Sequence, residues 1–216
     1  MENRVTRFIR DNIDKTIRYN PNDDGNLIGL PKPYTVPCIE GKFQEMYYWD
    51  TYFTNVGLLQ LGNVEQAKNN CENMAYLINK YGFMPNGSRT YYLIRSQPPF
   101  FTQMVREVYE RTSDKAWLKE MYNAAKDEYQ FWQEKRITPS GLNRYYGILD
   151  YQGAEYYSAL ARSAKRLRIP VPGNESDAQN LLECMMSFCE SGWDCNSRFG
   201  MRAHEYNPID LNSLLY

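Results

Sequence analysis

The sequence predicts an all-α chain assembled from helical hairpins, and three observations carry the prediction. Apolar residues recur at helical spacing through most of the 216 residues. Neighbouring helical stretches are parted by short stops such as Gly62-Asn63 and Thr112-Ser113-Asp114. No region reads as strand-rich. A helix, a tight turn, a second helix and then a longer polar and aromatic loop is the rhythm of hairpins arranged as a solenoid or toroid. An irregular helical bundle fits the same rhythm, because no fixed period marks repeats.

The elements follow in order. Val5, Phe8, Ile9, Ile13 and Ile17 mark a first helix, which leads into an irregular segment, 20–37, broken by Pro, Gly and Asn. Within it Asn20, Asn22, Asp24 and Gly25 imitate the opening of a calcium loop, but Pro31 stands where a bidentate Glu is required, so a turn is expected. Helices are predicted over 47–61 and 64–81, the second carrying Ala67, Cys71, Met74, Ala75 and Ile78 on one face. Pro85-Asn86-Gly87 and Gln97-Pro98-Pro99 bracket a short extended piece, 88–96. A second hairpin pairs 100–111 with 115–136. Breaks at Pro139-Ser140-Gly141 and Gly147 precede a helix over 154–167, and a last long helix over 177–189 takes Ser176 or Asp177 as its cap.

Composition excludes several function classes. Lys and Arg number 25 against 26 Asp and Glu, so no positive excess is available for phosphates and no nucleic-acid partner is expected. No apolar run approaches the roughly 20 residues a bilayer requires, so no membrane association is expected. The charged opening, Met1 to Asp11, lacks an apolar signal core, which points to the cytoplasm. Five irregularly spaced cysteines without a C-x-x-C pair argue against a disulfide framework or a zinc knuckle. The single histidine, His204, leaves no Ser–His pair and no second imidazole for a catalytic metal, so neither metal nor cofactor is expected. Hydrolysis in such a chain would run on carboxylates. Nineteen tyrosines exceed the needs of a core, and their flat faces and hydroxyls suit a sugar.

Three loops combine indole, phenol, carboxylate, amide and guanidinium groups with glycines that permit close backbone approach: 41–53, 85–99 and 190–199. Singly, Trp49 would be core filler, Asp50 a helix cap and Arg95 a solvated ion pair. Together they describe a site for a ring with an apolar face and a rim of hydroxyls, that is, a small carbohydrate.

The loops also resemble the signature motifs of the trehalases, glycosidases that split the alpha,alpha bond between two glucoses. The family pattern P-G-G-R-F-x-E-x-Y-x-W-D-x-Y-F is similar to Glu40-Gly41-Lys42-Phe43-Gln44-Glu45-Met46-Tyr47-Tyr48-Trp49-Asp50-Thr51-Tyr52-Phe53. Asn86-Gly87-Ser88-Arg89 with Arg95-Ser96-Gln97-Pro98-Pro99 resembles the second conserved loop. Ser191-Gly192-Trp193-Asp194 with Ser197-Arg198 resembles the loop that bears the catalytic acid, and Asp210-Leu211-Asn212 adds a fourth point.

The resemblance implies an (α/α)6 toroid of six hairpins, of which 1–216 would be the N-terminal half, one partial catalytic domain. It makes Asp194 the general acid, which needs burial and aromatic neighbours such as Trp193 to stay protonated near neutral pH. It places Lys42, Trp49, Asp50, Asn86, Arg95, Ser96, Gln97, Glu155 and Gly192 on the sugar, Glu155 by alignment of Gln152-Gly153-Ala154-Glu155-Tyr156 with the family's P-R-P-E-S-Y. Lys42 and Gly153 stand where the family has arginines, and an ammonium does not reproduce a guanidinium fork.

Inverting glycosidases also need a second carboxylate, roughly 6.5–9.5 Å from the acid, to activate water. In trehalases it follows a Q-W-D-x-P motif, which this sequence lacks, so the base is expected outside the chain and 1–216 alone is expected to be inactive. Glu45 and Glu155 are weak stand-ins. A half ring would leave an apolar face uncovered and open to association. The expected substrate is trehalose or a related disaccharide. Rivals are an inactive sugar-binding remnant, a glycosidase of the same fold acting on another small glycoside, and a purely structural helical scaffold.

Overall fold

The computed structural model describes residues 3–216 and is 58% helical. Among the described residues the α-helices are α1 (Arg4–Asn12), α2 (Tyr48–Gln60), α3 (Val64–Tyr81), α4 (Phe101–Thr112), α5 (Lys115–Lys135), α6 (Gly153–Leu167), α7 (Glu175–Ser191) and α8 (Ile209–Leu215). The all-α expectation stands. Among the described residues no helix is long and apolar enough to cross a membrane. The chain divides into two compact units, one of Met1–Leu93 with Pro99–Tyr129, the other of Ile94–Pro98 with Gln130–Tyr216.

In the first unit α2 and α3 form the predicted hairpin, and the punctuation explains their limits. The Asn63 side chain accepts the Gln66 N–H to open α3, and Gly82, at φ +80°, closes it in a conformation that costs glycine nothing. Asp114 opens α5 by accepting the Trp117 N–H at 3.0 Å. The buried faces of α2 to α5 meet in one cluster that includes Leu58, Cys71, Met74, Ile78, Met104, Val108 and Trp117. Ile28, Leu30, Tyr34 and Val36, from the irregular segment, pack into the same cluster.

That segment is ordered by polar side chains on the buried face of α3. Asn70 accepts the Thr35 N–H at 3.1 Å and donates to the Asn55 and Thr35 side chains. Asn73 accepts the Lys32 N–H and donates to the Lys32 carbonyl, both at 3.0 Å. These amides satisfy backbone groups that no helix or sheet would otherwise pair. Gly29 sits so close to Asn22 that a Cβ would lie 2.6 Å from its carbonyl carbon.

Two local expectations are corrected. The first helix ends at Asn12, and Ile17–Arg18 instead forms strand β1, pairing antiparallel with β2 (Tyr34–Thr35). The piece expected to be extended, 88–96, contains a 3-10 turn at Thr90–Tyr92.

In the second unit α6 and α7 pack through Leu160, Ala164, Leu181, Leu182, Met185 and Phe188, with the 3-10 segment Gly200–Glu205 against α7. Helix α7 is longer at both ends than predicted, because Asn174 caps its start, accepting the Asp177 N–H at 2.9 Å, and Gly192 in the left-handed conformation stops it only after Ser191. Trp132, Tyr145 and Leu211 form a smaller cluster. Asn143 and Asn212 exchange backbone–side-chain bonds at 2.8 and 2.9 Å, which ties α8 to the strip following α5.

Candidate functional site

In the first unit the first two motif loops are joined by a short antiparallel ladder. The Ser88 N–H donates to the Met46 carbonyl at 2.9 Å, the Tyr48 N–H to the Asn86 carbonyl at 3.1 Å, and the Met46 N–H to Ser88 Oγ at 3.1 Å. Gly87 faces Tyr47 across this ladder, where a Cβ would come within 2.9 Å of the Met46 carbonyl oxygen. Glycine is therefore required for the loops to close on each other. The ladder buries Asn86 and sets Trp49 and Asp50, half-buried, on the first turn of α2.

Lys42 lies exposed on the rim of a concavity of about 340 Å³, lined also by Phe43, Glu45, Tyr47, Arg89 and Tyr91. Glu45 is buried, accepts the Tyr47 hydroxyl at 2.7 Å and pairs with Arg89 at 3.2 Å. Burial, then the neighbouring Tyr92 and Glu45, push the Tyr91 hydroxyl up to about 12, and burial raises Tyr47 further. Both phenols are thus neutral near pH 7; the Tyr47 proton is given to Glu45, which leaves its oxygen able to accept from a sugar hydroxyl. Glu45, expected only as a weak substitute for the missing base, is committed to Arg89 and Tyr47.

Behind this loop, the Tyr48 hydroxyl donates to Glu128 of α5 and accepts the Phe101 N–H at 3.1 Å. Glu128 is fully enclosed, and burial pushes its pKa up to about 7, only partly offset by the Tyr48 hydrogen bond.

In the second unit the strip Ile94–Pro98 is held by Glu190, at the end of α7. This carboxylate has no exposed surface. It accepts the Ser96 N–H at 2.8 Å, the Tyr146 N–H at 2.6 Å, and Arg136 Nε and Nη2 at 2.9 Å each. The Ile148 N–H donates to the Ile94 carbonyl at 2.8 Å, and Gly147 packs so tightly that a Cβ would meet that oxygen at 3.2 Å. Ser96 and Gln97 are buried by this clamp, while Arg95 lies near Tyr151 and Cys189. Gly192, at φ +72°, ends α7 and turns the chain toward Asp194. Burial raises the Cys189 thiol pKa, with the Arg95, Asp194 and Arg166 charges acting on it as lesser causes.

The expected surroundings of Asp194 are corrected here. Its side chain is 56% exposed and bonded to Arg166 Nη2 at 2.6 Å, and Trp193 is 54% exposed. The short loop after Gly192, with Asp194 itself at φ +43°, turns both side chains outward, so neither burial nor an indole wall encloses the carboxyl. Glu155 is likewise exposed, on the first turn of α6.

His204 is buried with Cys184 Sγ 3.2 Å from Nδ1 and Glu183 Oε2 3.3 Å from Nε2. The line resembles a nucleophile, base and orienting acid, but Cys184 has no exposed surface and burial raises its thiol pKa, which keeps it protonated and inert.

Sequence reasoning missed Glu128, Arg136 and Arg166, and it took Glu190 only as the first residue of the 190–199 loop, with no role of its own. A signal existed for both glutamates, since each interrupts an apolar helical stripe: Met121, Ala124, Glu128, Trp132 on α5 and Leu182, Met186, Glu190 on α7. No comparable pattern marks the two arginines.

Comparison with known proteins adds four findings. The family model described as Trehalase matches residues 1–216. A periplasmic trehalase of Pseudomonas aeruginosa is 38% identical over 214 residues, covering 88% of this chain and 38% of that protein. One of Xanthomonas campestris is 35% identical over 237 residues, covering 96% and 40%. The solved structure of neutral trehalase Nth1 from Saccharomyces cerevisiae is similar with a TM-score of 0.71 at 28% identity, covering 98% of this chain and 44% of that one. The chain thus spans about two fifths of the length of these curated relatives. Their periplasmic names overturn the cytoplasmic expectation. Export leaders are cleaved from mature proteins, so folded helices carry no imprint of the compartment.

Proposed function

The chain belongs to the trehalase family, and from that premise we propose that it supplies the glucosyl-binding wall and the proton donor for inverting hydrolysis of trehalose, in the periplasm. Asp194 is the general acid. It protonates the glycosidic oxygen as the bond to the anomeric carbon breaks, while water enters from the opposite face of the ring with help from a second carboxylate. Lys42, Trp49, Asp50, Asn86, Arg95, Ser96, Gln97, Glu155 and Gly192 are the residues that serve the sugar in this reading. The residues 1–216 form one partial catalytic domain in this reading, and the water-activating carboxylate is not among the residues to which the resemblance gives a role.

The observation that carries the proposal is the ladder between 46–48 and 86–88, since it brings Asn86, Trp49 and Asp50 to one place on the end of a helix. To act as the acid, Asp194 must part from Arg166, take a proton from solvent water and pass it to the glycosidic oxygen.

A second reading, a sugar-binding remnant without turnover, draws on that same ion pair and on the exposure of Asp194. Saturation-transfer NMR with trehalose and maltose on this chain, run beside a coupled glucose assay on the chain joined to the trehalase segment that carries the water-activating carboxylate, separates the two. Trehalose contacts weakened by both Asn86→Ala and Arg95→Ala support the sugar wall, and equal contacts from maltose favour another small glycoside. Glucose release that survives Asp194→Asn contradicts the assigned acid.

A further inference from the structure

We infer that Glu190 is the positioning residue of the sugar wall in the second unit, fixing the Arg95–Gln97 strip in register with the turn that carries Gly192 and Asp194. The inference rests on the sugar-site reading above. It adds a residue to which neither the motif resemblance nor the pattern of candidate side chains gave a role.

The geometry is specific. A carboxylate has two oxygens and about four lone-pair directions. Here four hydrogen bonds from three residues fill them: Arg136 takes one bond on each oxygen, the Ser96 N–H takes Oε1, and the Tyr146 N–H takes Oε2. Each backbone donor lies on a different segment, and Glu190 itself ends α7 two residues before Gly192. One side chain therefore ties the strip bearing Arg95, Ser96 and Gln97 to the helix end that presents the acid.

Arg136 explains why a charge is tolerated in a place with no solvent contact. A bidentate guanidinium offsets the desolvation of the carboxylate, and the two amides use its remaining acceptor capacity. An apolar pair would fill the same volume, but it would leave the Ser96 and Tyr146 amides without an acceptor and the strip free to slide. Register, rather than stability alone, is what this arrangement controls.

Hydrogen exchange at single amides, thermal melting and calorimetric titration with trehalose test the role on the whole chain. Glu190→Gln puts an amide donor against a donor and leaves Arg136 uncompensated, so it is paired with the charge-neutral double variant Arg136→Met/Glu190→Gln, which keeps the volume. In the double variant we expect a folded protein in which exchange rises about tenfold or more at whichever of the Ser96 and Tyr146 amides meets the new side-chain nitrogen, as for loss of a charge-assisted hydrogen bond. The trehalose Kd should rise by a similar factor, and Glu190→Asp with Arg136 retained should recover part of both changes. A purely structural role would lower the melting temperature and leave the sugar affinity of the folded protein unchanged. Unchanged exchange at Ser96 and Tyr146, or full-strength trehalose binding by the double variant, overturns the positioning role alone. Failure of the unaltered chain to bind trehalose overturns the sugar reading and this role with it, while the exchange data still report whether the clamp exists.

Discussion

Glu128 in the first unit and Glu190 in the second are both closed off from solvent, and each tethers a motif loop to a helix. They differ in what answers the charge. Glu190 meets a guanidinium and two backbone amides, whereas the bond described for Glu128 is the hydroxyl of Tyr48. A single hydroxyl does not repay the desolvation of a carboxylate, so burial drives the Glu128 pKa to about 7. The contrast teaches that a carboxylate required to hold backbone amides in place is built with its counter-charge. One that orients a phenol can exchange a proton near neutrality.

The largest expected effect breaks the Glu190 side of this contrast. Arg136→Leu alone strands a buried charge and should cost about 3–5 kcal/mol in denaturant unfolding. A loss under about 1 kcal/mol would show that the pair contributes little.

Next, Glu128→Gln should flatten the dependence of stability on pH. The folded pKa, about 7, lies above the ordinary carboxylate value of 4.5. Between the two the folded state holds the extra proton, so stability falls as pH rises through this window and levels off above it. Melting at pH 5 and pH 8 should therefore show the unaltered chain less stable at the higher pH by a few kcal/mol, roughly, and the variant nearly indifferent. Tyr48→Phe sharpens the point: it removes the donor from Glu128 and should cost about 1–3 kcal/mol, more at pH 8 than at pH 5 because the ionised carboxylate needs the donor most. The smallest effect belongs to the exposed Arg166–Asp194 pair, where Arg166→Gln should change unfolding free energy by less than about 1 kcal/mol.

Much of this architecture was legible in the sequence, for local reasons. Helix α3 falls on the predicted 64–81 because Asn63 and Gly82 are strong stop signals flanking a clear apolar stripe. The pairing of β1 with β2 was not legible, since two-residue strands have no periodicity to read. Nor was the order of the segment 20–37, which depends on Asn70 and Asn73, polar residues on a buried face that pattern reading treats as noise.

The site divides the same way. The loops carrying Trp49, Asp50, Asn86 and Arg95 were identifiable from residue chemistry and from their family motifs. The ladder at Gly87 supplied a backbone reason for two of those loops to meet. The exposure of Asp194 was hidden because its partner Arg166 lies 28 residues away and reaches it only through the packing of α6 against α7.

The most direct test of the account is a calorimetric titration of the chain with trehalose, with Arg95→Ala measured in parallel. The account predicts saturable binding by the unaltered chain and a loss of about tenfold or more in the variant, the size expected for a charged hydrogen bond to a sugar hydroxyl. No saturable heat with trehalose, or equal affinity in the two proteins, would contradict it.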